Sequence, residues 1–232
     1  MAKEMLSIVM PVYNEEKFLE KIVDRVLKVK WPLPMELIIV DDKSKDNSAS
    51  IMKTLDKKHR NVRCFYHKQN FGKGRAVRTG FSEAKGTIVT VQDSDLEYFP
   101  EDLIPMAYLI MNTKVNAVYG SRYIIPSKGR YWLFYLGNKF LTFSASLLYF
   151  QPLTDVLTCY KMVRKSALNG ITLREDGFGF DPELSAKLMK KGNKIFEVPI
   201  KYVGRTFAEG KKNSIGVGIK TLLILLRERF TP

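Results

Sequence analysis

Polar and apolar positions alternate along the first hundred residues in two rhythms. Leu6–Val12 is a short apolar run of strand length, after which Phe18, Leu19, Ile22, Val23, Val26 and Leu27 recur at helical spacing, with Asn14 placed to cap the helix start. Pro32 and Pro34 stop that helix, and residues 37–40 form a second, β-branched strand that ends at Asp41-Asp42. A helix over Ser48–Lys58, a strand over Val62–Tyr66, a helix over 74–84 and a buried strand over 87–92 follow. Past Pro100 the alternation loosens. The pattern predicts a helix to about Met111, a strand at 117–119, a long apolar segment at 132–150, a strand at 159–163, a helix at 182–190, a strand at 194–203 and a terminal helix at 215–230.

Short strands alternating with helices of ten or more residues need crossover connections, which yield an α/β fold with a mostly parallel central sheet and helices on both faces. Such sheets hold ligands beyond the carboxyl ends of their strands. Three strand ends carry the polar groups this requires: Val12-Tyr13-Asn14, Asp41-Asp42 and Asp93-Ser94-Asp95. With no internal repeat and no linker, a single domain is expected.

The composition, 45% apolar and 27% charged over 232 residues, excludes disorder and a disulfide scaffold. The two cysteines, Cys64 and Cys159, predict a reducing compartment, and Met1-Ala2-Lys3-Glu4 predicts no secretory leader. A formal charge of +14 calls for a negative partner, whether nucleic acid, an anionic membrane surface or a phosphorylated small molecule. No run reaches the ~20 apolar residues of a bilayer-spanning helix.

Asp93-Ser94-Asp95 at a strand end can present oxygens to one hard divalent cation whose other positions hold phosphate oxygens, with Glu97 a third donor; the alternative is a solvated turn. Asp41-Asp42 can accept an N–H from a nucleobase, and Tyr13 can lie against a base or ribose. Asn70-Phe71-Gly72-Lys73-Gly74-Arg75 opens a helix with glycines and cations, which suits either phosphate or tight packing. Arg122, Arg130, Arg205, Lys211 and Lys212 are the cations placed in loops near the later strand ends. With only His59 and His67 present, no Ser-His-Asp or Cys-His arrangement is indicated.

Five motifs in this order resemble glycosyltransferase family 2 enzymes of GT-A fold, in particular the dolichol-phosphate mannose synthases and polyprenyl-phosphate glycosyl synthases. They are Val9-Met10-Pro11-Val12-Tyr13-Asn14-Glu15-Glu16, Val40-Asp41-Asp42-Lys43-Ser44-Lys45-Asp46, Asn70-Phe71-Gly72-Lys73-Gly74, Gln92-Asp93-Ser94-Asp95-Leu96-Glu97 and Gly120-Ser121-Arg122-Tyr123. The resemblance implies a Rossmann-like catalytic domain over 1–212 followed by an amphipathic helix over 213–232. It places Pro11, Val12, Tyr13, Glu15, Val40, Asp41, Asp42, Lys73, Asp93, Ser94 and Asp95 around a GDP- or UDP-linked sugar. It assigns Mg²⁺ or Mn²⁺ to Asp95, helped by Glu97 and Asp93. Arg122, Arg205 and Lys211 then face the diphosphate or the acceptor phosphate. Lys43 stands where the family usually carries Gly, and Ile215-Gly216-Val217-Gly218 replaces a more polar run.

The implied reaction is inverting transfer of a hexose to a polyprenyl phosphate. A lipid phosphate is already anionic and needs positioning cations rather than a general base, which the basic loop at 204–214 suits. The rival acceptor is a hydroxyl, with Asp181 as base. The segments at 132–150 and 215–230 are expected to lie in the headgroup plane or to pack in a core, giving a peripheral protein on the cytoplasmic face of a membrane. A non-catalytic nucleic-acid or membrane-binding protein is the remaining alternative. It is disfavoured because aromatic residues are not interleaved with the cations, so no nucleic-acid partner is expected.

Overall fold

The computed structural model describes residues 4–125, 132–204 and 215–231. Seven strands form one sheet: β1 (Leu6–Val12), β2 (Met35–Asp41), β3 (Val62–Tyr66), β4 (Ile88–Val91), β5 (Ala117–Ser121), β6 (Lys161–Arg164) and β7 (Ile195–Pro199). Among the described residues seven α-helices accompany them: α1 (Leu19–Lys28), α2 (Ser48–Lys58), α3 (Lys73–Glu83), α4 (Leu103–Asn112), α5 (Trp132–Tyr149), α6 (Phe180–Lys190) and α7 (Ile215–Phe230). The strand order is β3-β2-β1-β4-β6-β5-β7. Only β6 runs against the others, pairing antiparallel with both β4 and β5.

The period-2 alternation of the strands sorts the core into two layers. Along β1, Leu6, Ile8, Met10 and Val12 pack with Leu19, Ile22, Val23 and Val26 of α1 and with Leu103 and Met106 of α4. Val9 faces the other way, toward Val77 of α3, Leu184 of α6 and Leu225 of α7. Each such side chain removed from water contributes about 1.5–3 kcal/mol. This two-sided burial is why the central strands read as nearly continuous apolar runs.

Several expectations shift. Asn14 is not a helix cap. It adopts a left-handed backbone (φ 57°), and its side-chain oxygen accepts the Lys45 N–H at 2.7 Å. The helix instead begins at Leu19, after a turn in which the Phe18 and Leu19 N–H groups donate to the Glu15 carbonyl. The last strand stops at Pro199, which has no N–H to continue the ladder, and Tyr202 then makes a single bridge to Tyr98. The reversal of β6 was not predicted, since strand direction leaves no trace in apolar periodicity.

Candidate active site

The loops after β1 and β2 are knitted together at the carboxyl edge of the sheet. Pro11 pairs in register with Val40, and Val12 with Asp41. The Asn14 N–H donates to Ser44 Oγ at 3.0 Å, the Glu15 N–H to Ser48 Oγ at 3.0 Å and the Glu16 N–H to Asp46 Oδ2 at 3.0 Å. Burial alone would raise the Asp46 carboxyl, but the hydrogen bonds from Ser48 and Glu16 outweigh it and hold the group below its ordinary range. Asp41 Oδ1 accepts the Ser44 N–H at 3.0 Å. Between them, Lys43 has φ 65°, a conformation glycine adopts freely and an L side chain does not. That explains the glycine expected there. Lys43→Gly should stabilise the fold by roughly 0.5–1 kcal/mol, read as a higher urea midpoint, because the left-handed penalty of a side chain disappears.

Asp42 is placed differently from its neighbour. It is buried, and its carboxylate accepts the Gly72 N–H at 2.6 Å, the Phe71 N–H at 3.0 Å and His67 Nδ1 at 2.7 Å. His67 Nδ1 faces the Asp42 carboxylate, and its Nε2 lies 2.9 Å from the Thr79 hydroxyl. Asp42 thus anchors the loop that opens α3. Gly72 has φ 102°, and a Cβ there would meet the Asp176 carbonyl oxygen at 2.6 Å. At Gly74 a Cβ would meet the Glu175 carbonyl oxygen at 2.4 Å. Of the two readings of these glycines, tight packing accounts for them.

The same loop delivers Lys73 to the third strand end. Its Nζ lies 2.6 Å from Asp93 Oδ1 and 3.1 Å from Cys159 Sγ. Burial opposes the ammonium charge, but the charge and hydrogen bond of Asp93 together with the other nearby groups, Asp181 among them, outweigh it and hold Lys73 well above its ordinary range. Burial, followed by the nearby Asp93, pushes the Cys159 thiol up, so it stays neutral. Ser94 is buried beside them. Asp95 Oδ1 accepts the Glu97 N–H at 3.0 Å, and Glu97 Oε2 accepts the Tyr202 hydroxyl at 2.8 Å. Among the described residues no three acidic, histidine or cysteine side chains converge as a ready metal cage, because Asp93 is drawn to Lys73 and Glu97 to Tyr202. What the strand end offers is one or two hard oxygen donors. That fits Mg²⁺ or Mn²⁺ shared with substrate phosphates, a mode that needs few protein ligands.

Arg122, at the end of β5, is committed to a buried partner. Its Nε and Nη2 donate to Asp155 at 2.7 and 2.8 Å, and its backbone N–H reaches the same carboxylate at 3.1 Å. Asp155 is 0% exposed and its own N–H donates to Glu197 at 2.9 Å. Burial opposes the guanidinium charge, but the charge and hydrogen bonds of Asp155, with smaller contributions from its tyrosine neighbours, outweigh it. The guanidinium also sits over the rings of Tyr123 and Tyr202, at 5.5 and 5.2 Å. Arg122 therefore frames the site through Tyr202 and Glu97. Arg130, Arg205, Lys211 and Lys212 lie outside the described residues.

Asp181, in the first turn of α6, pairs at 3.0 Å with Lys161, which is 0% exposed and also donates to the Thr158 carbonyl. Sequence reasoning missed Lys161, Asp155 and Tyr202. For Lys161 a signal existed, since a lysine inside the apolar strand Tyr160-Lys161-Met162-Val163 must find a buried partner.

The sequence pattern of glycosyl transferase family 2 matches residues 7–172 of this chain. A dolichol-phosphate mannosyltransferase of Pyrococcus furiosus is 30% identical over 89% of this chain, which spans 58% of that enzyme. A UDP-N-acetylglucosamine–dolichyl-phosphate N-acetylglucosaminyltransferase of Methanococcus voltae is 29% identical, with 97% of this chain and 96% of that enzyme covered. Among solved structures, glucosyl-3-phosphoglycerate synthase of Mycobacterium tuberculosis with UDP superimposes with a TM-score of 0.76 at 16% identity, over 100% of this chain and 82% of that one. Its fold is the GT-A fold expected from the motifs. Strand order, the acidic strand end after β4 and the match over 7–172 agree: the chain belongs to glycosyl transferase family 2.

Proposed function

We propose that this protein transfers a hexose, with inversion, from a uridine- or guanosine-diphosphate sugar to a polyprenyl phosphate. The observation that carries the donor half is the Asp93-Ser94-Asp95 strand end with the Lys73 ammonium 2.6 Å from Asp93. Pro11, Val12, Tyr13, Glu15, Val40 and Asp41 line the strand ends where a nucleoside would lie, and Asp42 supports them from behind by fixing the Gly72 loop. Asp95, with Asp93 and Glu97 nearby, would hold Mg²⁺ or Mn²⁺; the mycobacterial synthase has been solved with Mn²⁺ and UDP. A divalent ion held by these residues would supply charge neutralisation for the leaving diphosphate. Lys73 adds a fixed cation in a water-poor setting, where it needs little reorganisation as that charge develops.

In the reaction, an oxygen of the acceptor phosphate forms a bond to the anomeric carbon from the face opposite the diphosphate. The bond to the diphosphate breaks and the nucleoside diphosphate departs with the electron pair. No proton has to be removed from the acceptor. The placement of Asp181 favours this acceptor over a hydroxyl, because its carboxylate is 7% exposed and engaged at 3.0 Å by Lys161 inside the fold rather than presented to an incoming acceptor. Both relatives named above act on dolichyl phosphate by name.

The test is transfer from a panel of UDP- and GDP-sugars to a short, water-soluble prenyl phosphate, by the wild type and by Asp181→Asn. Transfer should appear with one nucleotide, and Asp181→Asn should keep the rate within about threefold, where loss of a general base costs about 10²–10⁴-fold. Rates are taken well below the melting temperature, since Lys161 also loses its charged partner. A collapse of rate with unchanged donor affinity would favour the hydroxyl acceptor, and an inert prenyl phosphate would reject the reading.

A further inference from the structure

The main chain at residues 175–177 is wedged between the loop that carries Lys73 and the last helix. On one side it packs against the opening of α3. A Cβ at Gly72 would meet the Asp176 carbonyl oxygen at 2.6 Å, and one at Gly74 would meet the Gly177 carbonyl oxygen at 2.8 Å. The Asp176 carbonyl also accepts the Arg75 N–H at 3.1 Å. Lys73 stands between those two glycines. Backbone packed this closely leaves no slack, so a shift of the 175–177 segment is passed on to the lysine.

On the other side the Glu175 carboxylate is gripped by α7. It is 9% exposed and lies 2.8 Å from Lys220 Nζ and 3.1 Å from Arg227 Nη1. Arg227 is itself held by Glu228, 2.7 Å from its Nη2. The Glu175 N–H donates at 2.8 Å to Glu183 of α6, which is fully buried. Burial would raise the Glu175 carboxyl, but Lys220 and Arg227 outweigh it and hold the group below its ordinary range. Charge-assisted hydrogen bonds from two cations fix the side chain, and with it the main chain that it belongs to. A line of contacts thus runs from α7 through Glu175 and the Gly72–Gly74 turn to Lys73 Nζ, 2.6 Å from Asp93 Oδ1.

We propose that Glu175 is a positioning residue for the transfer: clamped by Lys220 and Arg227 of α7, it fixes the Gly72–Gly74 turn so that the Lys73 ammonium stands where the leaving diphosphate is met. This role rests on the reading of Lys73 as the cation that meets the diphosphate. Such a cation stabilises developing charge only while it is held in place, and a misplacement of about 1 Å costs up to about 10²-fold. Glu175 and α7 both lie beyond residue 172, where the match to the family pattern ends.

Calorimetric titration with UDP and with GDP, each with Mn²⁺, tests it in a double-mutant cycle, run well below the melting temperature of every variant. The nucleotide that binds the wild type should bind Glu175→Ala about tenfold more weakly, and Lys73→Met at least as weakly as that. Adding Glu175→Ala to Lys73→Met should change the affinity by less than about twofold, since the group it positions is gone. Lys220→Glu is the second variant. Its side chain is 58% exposed, so the fold tolerates the change, and the like charge facing Glu175 should weaken binding in the same Lys73-dependent way. If Glu175→Ala does not fold, Lys220→Glu decides alone. Equal weakening in both backgrounds, as a general loosening of the fold would give, would overturn the proposal. Lys73→Met that binds weakly beside variants of Glu175 and Lys220 with full affinity would reject Glu175 and keep Lys73. Lys73→Met that binds like the wild type, or a wild type that binds neither nucleotide, would reject both roles.

Discussion

Replacing Asp95 with Ala is expected to lower sugar transfer at least about a hundredfold, roughly 3 kcal/mol of transition-state stabilisation, while the protein stays folded. The carboxylate stands at the lip of the sheet, where its Oδ1 accepts the Glu97 N–H. Losing that hydrogen bond costs about 1 kcal/mol, a modest fall in melting temperature for a chain of this size. Asp95→Asn separates the two roles, since an amide oxygen still accepts from Glu97 but offers a metal no charge. Both variants should lose activity, and only Ala should lose stability. Calorimetric titration with Mn²⁺ in the presence of nucleotide should show a weakened metal site in both. Wild-type turnover by Asp95→Asn, or unchanged Mn²⁺ affinity, would remove Asp95 from the metal site.

Arg122→Ala is expected to be the most destabilising change at the site. Asp155 is fully buried, and removing its bidentate partner strands a carboxylate away from water at a cost of about 3–5 kcal/mol. With an m-value of about 2–3 kcal/mol per molar urea, the midpoint should fall by about 1–2.5 M without a change of slope. The double variant Arg122→Met, Asp155→Leu should recover most of that loss, because the buried charge is gone. The contrast with the role inferred from the motif is direct. A cation serving chiefly to hold substrate phosphate would leave the urea midpoint in place when removed and would instead raise the KM for donor or acceptor.

The difference between those two roles shows how far the chain can be read without its fold. The positions of Asp93-Ser94-Asp95 and Asp41 were legible because a polar residue at the end of a buried strand of a parallel sheet must stand at its carboxyl edge, where such sheets gather ligands. Lys73 was legible as a cation opening a helix, but not as the neighbour of Asp93. Asp42 and Arg122 look in sequence like groups that meet a ligand, and in space they are committed to the Gly72 loop and to Asp155. Glu97 resembles a third metal donor, yet its side chain accepts from Tyr202, which a strand far along the chain brings to the same edge.

Element order, the two-layer α/β architecture and the acidic strand ends were determined by the sequence itself, because helix and strand burial repeat over a few residues and need no distant partner to be recognised. The direction of β6 and the pairings of Arg122 with Asp155, of Asp42 with Gly72 and of Glu175 with Arg227 were decided only by the tertiary structure. Those partners lie 33, 30 and 52 residues apart. A side chain's hydrogen-bond partner is chosen by which groups the folded backbone leaves within 3 Å and sheltered from water, and no local pattern encodes that choice.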